Sequence, residues 1–328
     1  MRRQRVTDII APSAKSILFC MFLSFFLWQD IFWPQQARVI ENISNIGKSP
    51  LFLFIEQTLP VDGFVGRIAG LALYLLLCFL IMNLNEVFSF IRVRTILPSL
   101  FCLIMGGLLL RPHHFSPGII VALLVLSALF FSFKLLTKEN PKYAFNVALL
   151  LSVAALFSFS CIWFLVVFWW FTYLSNMFSL RIFLASLLGA LAPCVYAVIG
   201  FYGNESLLLE YVKQSFQPFS VHFFFSIPEI IYLVFIGCLT LLALFFFLLR
   251  RSQENIRPRR EFTYIILFFL LTLFFIVLAF PDSYILFWLL IVFGSYLIGY
   301  YFSLANSRFS RILLMLYFAG SILLFLFD

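Results

Sequence analysis

Charge is what this chain has least of: only 11% of its 328 residues are Asp, Glu, Lys or Arg, where a soluble domain carries roughly a quarter. A water-exposed surface would interrupt the apolar residues every few positions. Here residues 112–133, 143–180, 182–204, 230–249, 262–281 and 283–307 contain no charge at all. About 20 apolar residues cross the ~30 Å hydrocarbon layer of a bilayer as a helix. The runs are continuously apolar and do not alternate with period two, so they predict helices and exclude the strands of an outer-membrane barrel.

Other absences narrow the chemistry. There are three histidines, His113, His114 and His222, too few for a four-histidine iron centre, and two of them are adjacent on one turn. The six cysteines, Cys20, Cys78, Cys102, Cys161, Cys194 and Cys238, sit singly inside apolar runs and read as small buried hydrophobes. No Gly-x-Ser-x-Gly elbow, phosphate-binding glycine loop, His-Glu-x-x-His or Cys-x-x-Cys occurs. The expectation is therefore no metal site and no cofactor. Coupled transport would call for carboxylates at mid-membrane depth and repeated halves, and neither pattern is seen.

What the chain does have is hydrophobicity, 64% of residues with 20% aromatic, arranged in eleven candidate spans. These are residues 16–33, 66–85, 96–110, 117–136, 143–158, 160–177, 182–202, 228–249, 262–280, 283–303 and 311–327. The reading is an all-α, polytopic transmembrane bundle forming a single membrane domain over residues 1–328, with no linker to divide it. The basic start reads as the flank of an uncleaved first span, because no small-x-small cleavage site follows it.

Placing the N-terminus in the cytoplasm leaves seventeen of twenty-two basic residues inside, with only Arg38, Lys48, Arg67, Arg111 and Lys213 outside. That bias is the one expected of a bacterial inner membrane protein, and it puts the C-terminus outside. The stretch 143–180 decides the parity. Read as one span, it would leave ten basic residues inside and twelve outside, so it is read as two. Orientation then accounts for the net charge of +8, and nucleic acid is not expected as a partner. Arg250 to Arg260 reads as a cytoplasmic anchoring loop.

Nine of fourteen acidic residues fall outside, which points to the extracytoplasmic face as the polar one. Two external segments belong to it. Residues 34–63 include Leu51, Phe52, Phe54 and Ile55, and residues 203–227 include Phe216, Phe219, Phe223, Phe224 and Phe225 around His222; both read as interfacial. Small-x-x-x-small pairs, Gly66 with Gly70 and Ser295 with Gly299, allow close helix contacts, and Pro193 interrupts the seventh span.

The stretch Asn83-Leu-Asn-Glu-Val-Phe-Ser-Phe-Ile-Arg-Val-Arg-Thr-Ile-Leu-Pro98, with Phe101, Gly106, Gly107, the turn His114-Phe-Ser-Pro-Gly118 and Tyr143-Ala-Phe-Asn146, resembles a family of multi-pass inner-membrane proteins of Bacteroidetes-type bacteria that has no assigned activity. The likeness runs to Leu191. A looser architectural likeness is to membrane glycosyltransferases and polysaccharide polymerases that use polyprenyl-linked sugars. Those proteins carry an acidic residue just beyond the first helix, the place Asp30 holds here. That likeness implies Asp30 as the catalytic base toward an acceptor hydroxyl. Arg38, Arg67, Arg111, His113, His114 and His222 would bind the substrate by neutralising a lipid pyrophosphate.

The leading expectation is nevertheless a non-catalytic envelope-associated subunit or scaffold, surrounded by lipid bilayer and working with an envelope protein partner. Its alternatives are an extracytoplasmic enzyme on a lipid-linked substrate and, third, a transporter or lipid-binding protein. The topology is directly testable. In a cysteine-free background, Asn45→Cys should react with an impermeant thiol reagent in intact cells, and Ile256→Cys should be shielded; the reverse pattern contradicts the orientation.

Overall fold

The computed structural model describes residues 14–29, 51–52, 55, 63–91, 93–110, 115–200, 226–253, 255–278, 283–305 and 307–327. Among these residues the regular structure is helical, with no strand. Eleven α-helices follow one another: α1 (Ala14–Leu27), α2 (Phe64–Phe88), α3 (Leu97–Leu109), α4 (Pro117–Thr137), α5 (Pro141–Phe157), α6 (Ile162–Leu174), α7 (Leu180–Gly200), α8 (Ile227–Arg250), α9 (Ile256–Val277), α10 (Ser283–Leu304) and α11 (Arg308–Phe327). Six of them, α2, α4, α8, α9, α10 and α11, include a stretch long and apolar enough to cross a membrane. Of the remaining five, α1, α3, α5 and α6 are shorter apolar helices, and α7 is apolar over Leu180–Val195.

Local chemistry sets where the helices begin and end. Prolines open α3, α4, α5 and α8 at their first turns, where a missing N–H costs nothing. Ser116 Oγ accepts from the Gly118 N–H at 3.2 Å, and Asn140 Oδ1 accepts from the Lys142 N–H at 3.0 Å; each cap is worth ~1 kcal/mol. α2 stops at Ser89, which turns left-handed with φ 53°. Asn85 reinforces that stop, its carbonyl accepting the Ser89 N–H and its side-chain oxygen the Ile91 N–H. Between α5 and α6, Ser158 is extended and a short 3-10 turn, Phe159–Cys161, redirects the chain.

One boundary differs from the sequence reading, and one division agrees with it. α9 begins at Ile256, inside the stretch read as a basic loop, so Arg257, Arg259 and Arg260 are helical. Pro258 in the first turn and an Arg257–Glu261 pair at i,i+4, 3.0 Å, favour that early start. Residues 143–180 form two helices, of 17 and 13 residues. At 1.5 Å per residue these reach ~26 and ~20 Å, less than the hydrocarbon thickness.

The core is built around α10. From Ile285 to Ser303 every residue but Leu290 is buried. Its walls are α3, α4, α8 and α9. α3 has only 13 residues, all of them buried; a helix enclosed by protein does not have to match the bilayer on its own. The periphery is different: α11 exposes Phe309, Ile312, Met315, Leu316, Ile322, Leu323 and Leu326, and α1 exposes Leu18, Phe19, Phe22, Phe25 and Phe26. Apolar surface of this extent suits lipid tails.

Contacts fix the relative directions. Ser99 Oγ donates to the Cys78 carbonyl at 2.8 Å and Tyr74 Oη to that of Leu103 at 2.5 Å, so α2 and α3 are antiparallel. Tyr74 meets Trp288 edge-on at 5.8 Å and Tyr296 Oη donates to the Ile81 carbonyl at 3.0 Å, so α2 and α10 are parallel. Gly189 lies against Phe145, and Ser152 donates to the Ala190 carbonyl at 2.8 Å and contacts Cys194 Sγ at 3.8 Å. α5 and α7 are therefore parallel, and α6 returns the chain between them.

Glycine permits the closest of these approaches. A Cβ at Gly299 would sit 2.6 Å from Pro98 Cγ, and one at Gly189 would overlap the Phe145 carbonyl oxygen. The second obstacle is backbone and cannot rotate away. Gly189→Ala should cost ~1–3 kcal/mol, while Gly237→Ala, with nothing within 4 Å of the added carbon, should be neutral or gain ~0.5–1 kcal/mol from helix propensity. Thermal unfolding of the purified variants measures both.

Candidate functional site

Of the residues singled out from sequence, Asp30, Arg38, Arg111, His113, His114 and His222 lie outside the described residues, as do 203–225 of the second external segment. Arg67 is described. It is half-buried in the first turn of α2, its N–H bonded to the Gly63 carbonyl at 3.2 Å.

The described neighbours of these residues meet at one end of the bundle. Trp28, two positions before Asp30, stacks on Tyr74 at 5.4 Å. Tyr74 in turn abuts Gly106, and Gly107 lies against Leu27. Trp288 closes over Gly118, just beyond the His113–His114 turn. The end of α1, the end of α3 and the start of α4 thus converge beside the first half of α2. Phe52 of the external segment joins them, its ring 6.2 Å from that of Phe115. Leu51, Phe52 and Ile55 are half-buried against the core, so these three side chains, read as interfacial anchors, pack on protein.

Chemically, this end is floored by aromatics. The Tyr74 hydroxyl donates its proton to a main-chain carbonyl, as do Tyr296 and Ser99. A buried hydroxyl used in this way ties two helices together and is not free to activate a nucleophile. Glu229, the acid at the start of α8, accepts the Ser226 N–H at 2.5 Å and so caps its own helix.

The other end holds the residue that sequence reading overlooked. Glu261 is fully buried. Arg257 Nε donates to its Oε1 at 3.0 Å, and its Oε2 has no hydrogen-bond partner among the described residues. Tyr264 Oη, one turn further along the same helix, is likewise buried, with Ser132 beside it but no well-formed hydrogen bond among the described residues. The signal was present as an Arg and a Glu at i,i+4 directly before an uncharged run. It was masked by the arginines around it, which made the stretch look like a solvated loop.

Among the described residues no group of three or more His, Cys, Asp or Glu is placed to hold a metal ion. The fold does bring two cysteines together that the sequence keeps apart: the thiols of Cys78 on α2 and Cys102 on α3 are within interacting distance.

Taken together, the helices define the class: an apolar helical bundle suited to a bilayer, that of a multi-pass integral membrane protein. Comparison with protein-family models, curated proteins and solved structures finds no match for the chain.

The bonded tyrosine gives this end a measurable consequence. Tyr74→Phe removes the bond to Leu103 and should lower stability by ~0.6 kcal/mol, the average for polar contacts between membrane helices. A loss several times larger in thermal unfolding would mean that the hydroxyl has a role beyond joining α2 to α3.

Proposed function

We propose that this chain is a non-catalytic scaffold or subunit of a bacterial inner membrane, crossing it eleven times with its N-terminus in the cytoplasm and its C-terminus outside. The observation that carries the scaffold reading is how the buried polar side chains are used. Tyr74, Tyr296, Ser99 and Ser152 each donate to a carbonyl of another helix. Around them the interior is filled with rings: Phe101 lies 4.9 Å from Tyr317, and Phe262 4.5 Å from Tyr300. Polar groups used as fasteners within a packed aromatic interior suit a rigid hub better than a conduit. The parallel course of α5 and α7 supports two crossings by residues 143–180 and hence the count of eleven. The resemblance of residues 83–191 to Bacteroidetes-type inner-membrane proteins is part of the same proposal, with an envelope protein as partner.

A second reading, a transferase acting on lipid-linked glycans at the outer face, draws on one feature. The described flanks of Asp30 and of residues 111–114, together with Arg67, share one end of the bundle. The acid and cations that the sequence reading assigned to this region would fit an acceptor hydroxyl beside a pyrophosphate.

One set of variants separates the two, expressed in a strain whose own copy is deleted. Asp30→Asn keeps size but removes charge and basicity; a general base contributes typically ~10² to 10⁴ in rate, enough to mimic the deletion. The scaffold reading expects Asp30→Asn and Arg111→Gln to restore the wild-type phenotype. It also expects Gly70→Leu, at a buried position of α2, to disturb assembly by blocking a helix contact. Loss of function in Asp30→Asn at normal abundance overturns it in favour of the transferase.

A further inference from the structure

We infer that Glu261 is a proton-binding site at the Arg257 end of α9, its carboxyl group neutral in the folded protein with the proton held on Oε2. The inference does not depend on the scaffold reading and rests on the acid's surroundings. Glu261 is 0% exposed, and in an apolar bundle a buried ionisable side chain marks a functional position by default. Its two oxygens are treated differently. Oε1 receives one N–H from Arg257 at 3.0 Å, a single bond where a guanidinium fork can supply two. Oε2 is buried and receives nothing from the described residues. Left without a partner, a buried ionised oxygen costs far more than a neutral hydroxyl in the same place, so the unserved Oε2 favours the protonated acid.

The packing also limits what else could fill that role. Phe171 stacks on the Tyr264 ring at 3.9 Å, Phe268 meets it edge-on at 4.6 Å, and Phe133 approaches at 6.3 Å. Phe262, next to the acid, is held between Phe247 at 4.8 Å and Tyr300 at 4.5 Å. A metal ion or organic cation would have to displace these rings; a proton displaces nothing.

Two cations on the neighbouring elements are engaged with rings of their own. Lys134 Nζ on α4 lies 4.4 Å from the Phe130 ring centroid, and the Arg250 guanidinium on α8 lies 4.8 Å from that of Phe246. Buried polar groups on the elements packed around α9 include Tyr300 on α10, Thr172 on α6 and Ser132 on α4, and none of these is a cation. That leaves Arg257, itself half-exposed, as the one cation bonded to the acid among the described residues.

Proton loss would strand a negative charge on an oxygen that no donor serves. Relief would come by withdrawing Glu261 from the bundle, which moves the first turns of α9 and the Arg250–Arg260 segment with it. The site is therefore built to let proton occupancy govern the packing of α9 at this end.

Infrared spectroscopy of the full-length protein in lipid nanodiscs near neutral pH tests this. Wild type should show the carbonyl stretch of a protonated carboxylic acid, absent from Glu261→Gln. That variant copies the shape and hydrogen bonding of the neutral acid, so its melting temperature should match wild type. Glu261→Asp keeps an acid and should shift the band, which keeps the test open if the glutamine variant fails to accumulate. If wild type has no such band, or the band survives in Glu261→Gln, or it is unaltered in Glu261→Asp, the proposal fails. A large drop in the melting temperature of Glu261→Gln would identify an ionised structural pair with Arg257 instead.

Discussion

Hydrocarbon offers no hydrogen-bond partner to a peptide group, and the architecture follows from that constraint. With only 11% of its residues charged, the chain satisfies its backbone within helices and buries one of them, α10, almost completely among the rest. Burial in lipid has no hydrophobic driving force of its own, so contact quality decides which helix goes to the centre. α10 provides it with Trp288, Phe293, Tyr296 and Tyr300 for volume, and with Gly294 and Gly299 where α3 and α8 come close. Aromatic pairs of this kind contribute ~0.5–1.5 kcal/mol beyond their area.

The two ends of the bundle then differ in kind. At one, Trp28, Tyr74 and Trp288 form an aromatic floor whose tyrosine hydroxyl is committed to a carbonyl. At the other, a carboxyl group is buried with only one of its two oxygens hydrogen-bonded among the described residues. The sequence pointed to the first end as the chemically interesting one, because charges were counted by side of the membrane. Counting takes no account of burial, and burial separates Glu261 from Glu86 and Glu139, which are exposed, while Glu229, also buried, is committed to capping α8.

Much of the fold was legible because most charges of this chain lie between helices or in their terminal turns. The uncharged runs matched helices to within a few residues, and Ser295 with Gly299 marked a real close approach. What could not be read depends on contacts between distant segments. Gly189 meets a backbone oxygen of Phe145, an atom every residue has, so no side-chain pattern announces it. Cys78 and Cys102 face each other across an antiparallel pair whose register only packing sets. The start of α9 was hidden because arginines on a first helical turn look the same as arginines in a loop. Of the candidate site, only Arg67 could be placed directly; the neighbours of Asp30 and of residues 111–114 give the region but not the chemistry.

The central claim is that α10 is sealed inside the bundle while α1 and α11 face lipid. A bilayer-soluble carbene reagent, photolysed in membranes holding the wild-type protein and mapped by mass spectrometry, tests it without mutation. The account predicts heavy labelling at Phe22, Phe25, Met315 and Ile322 and essentially none between Ile285 and Ser303. Labelling of α10 comparable to that of α11 would contradict it.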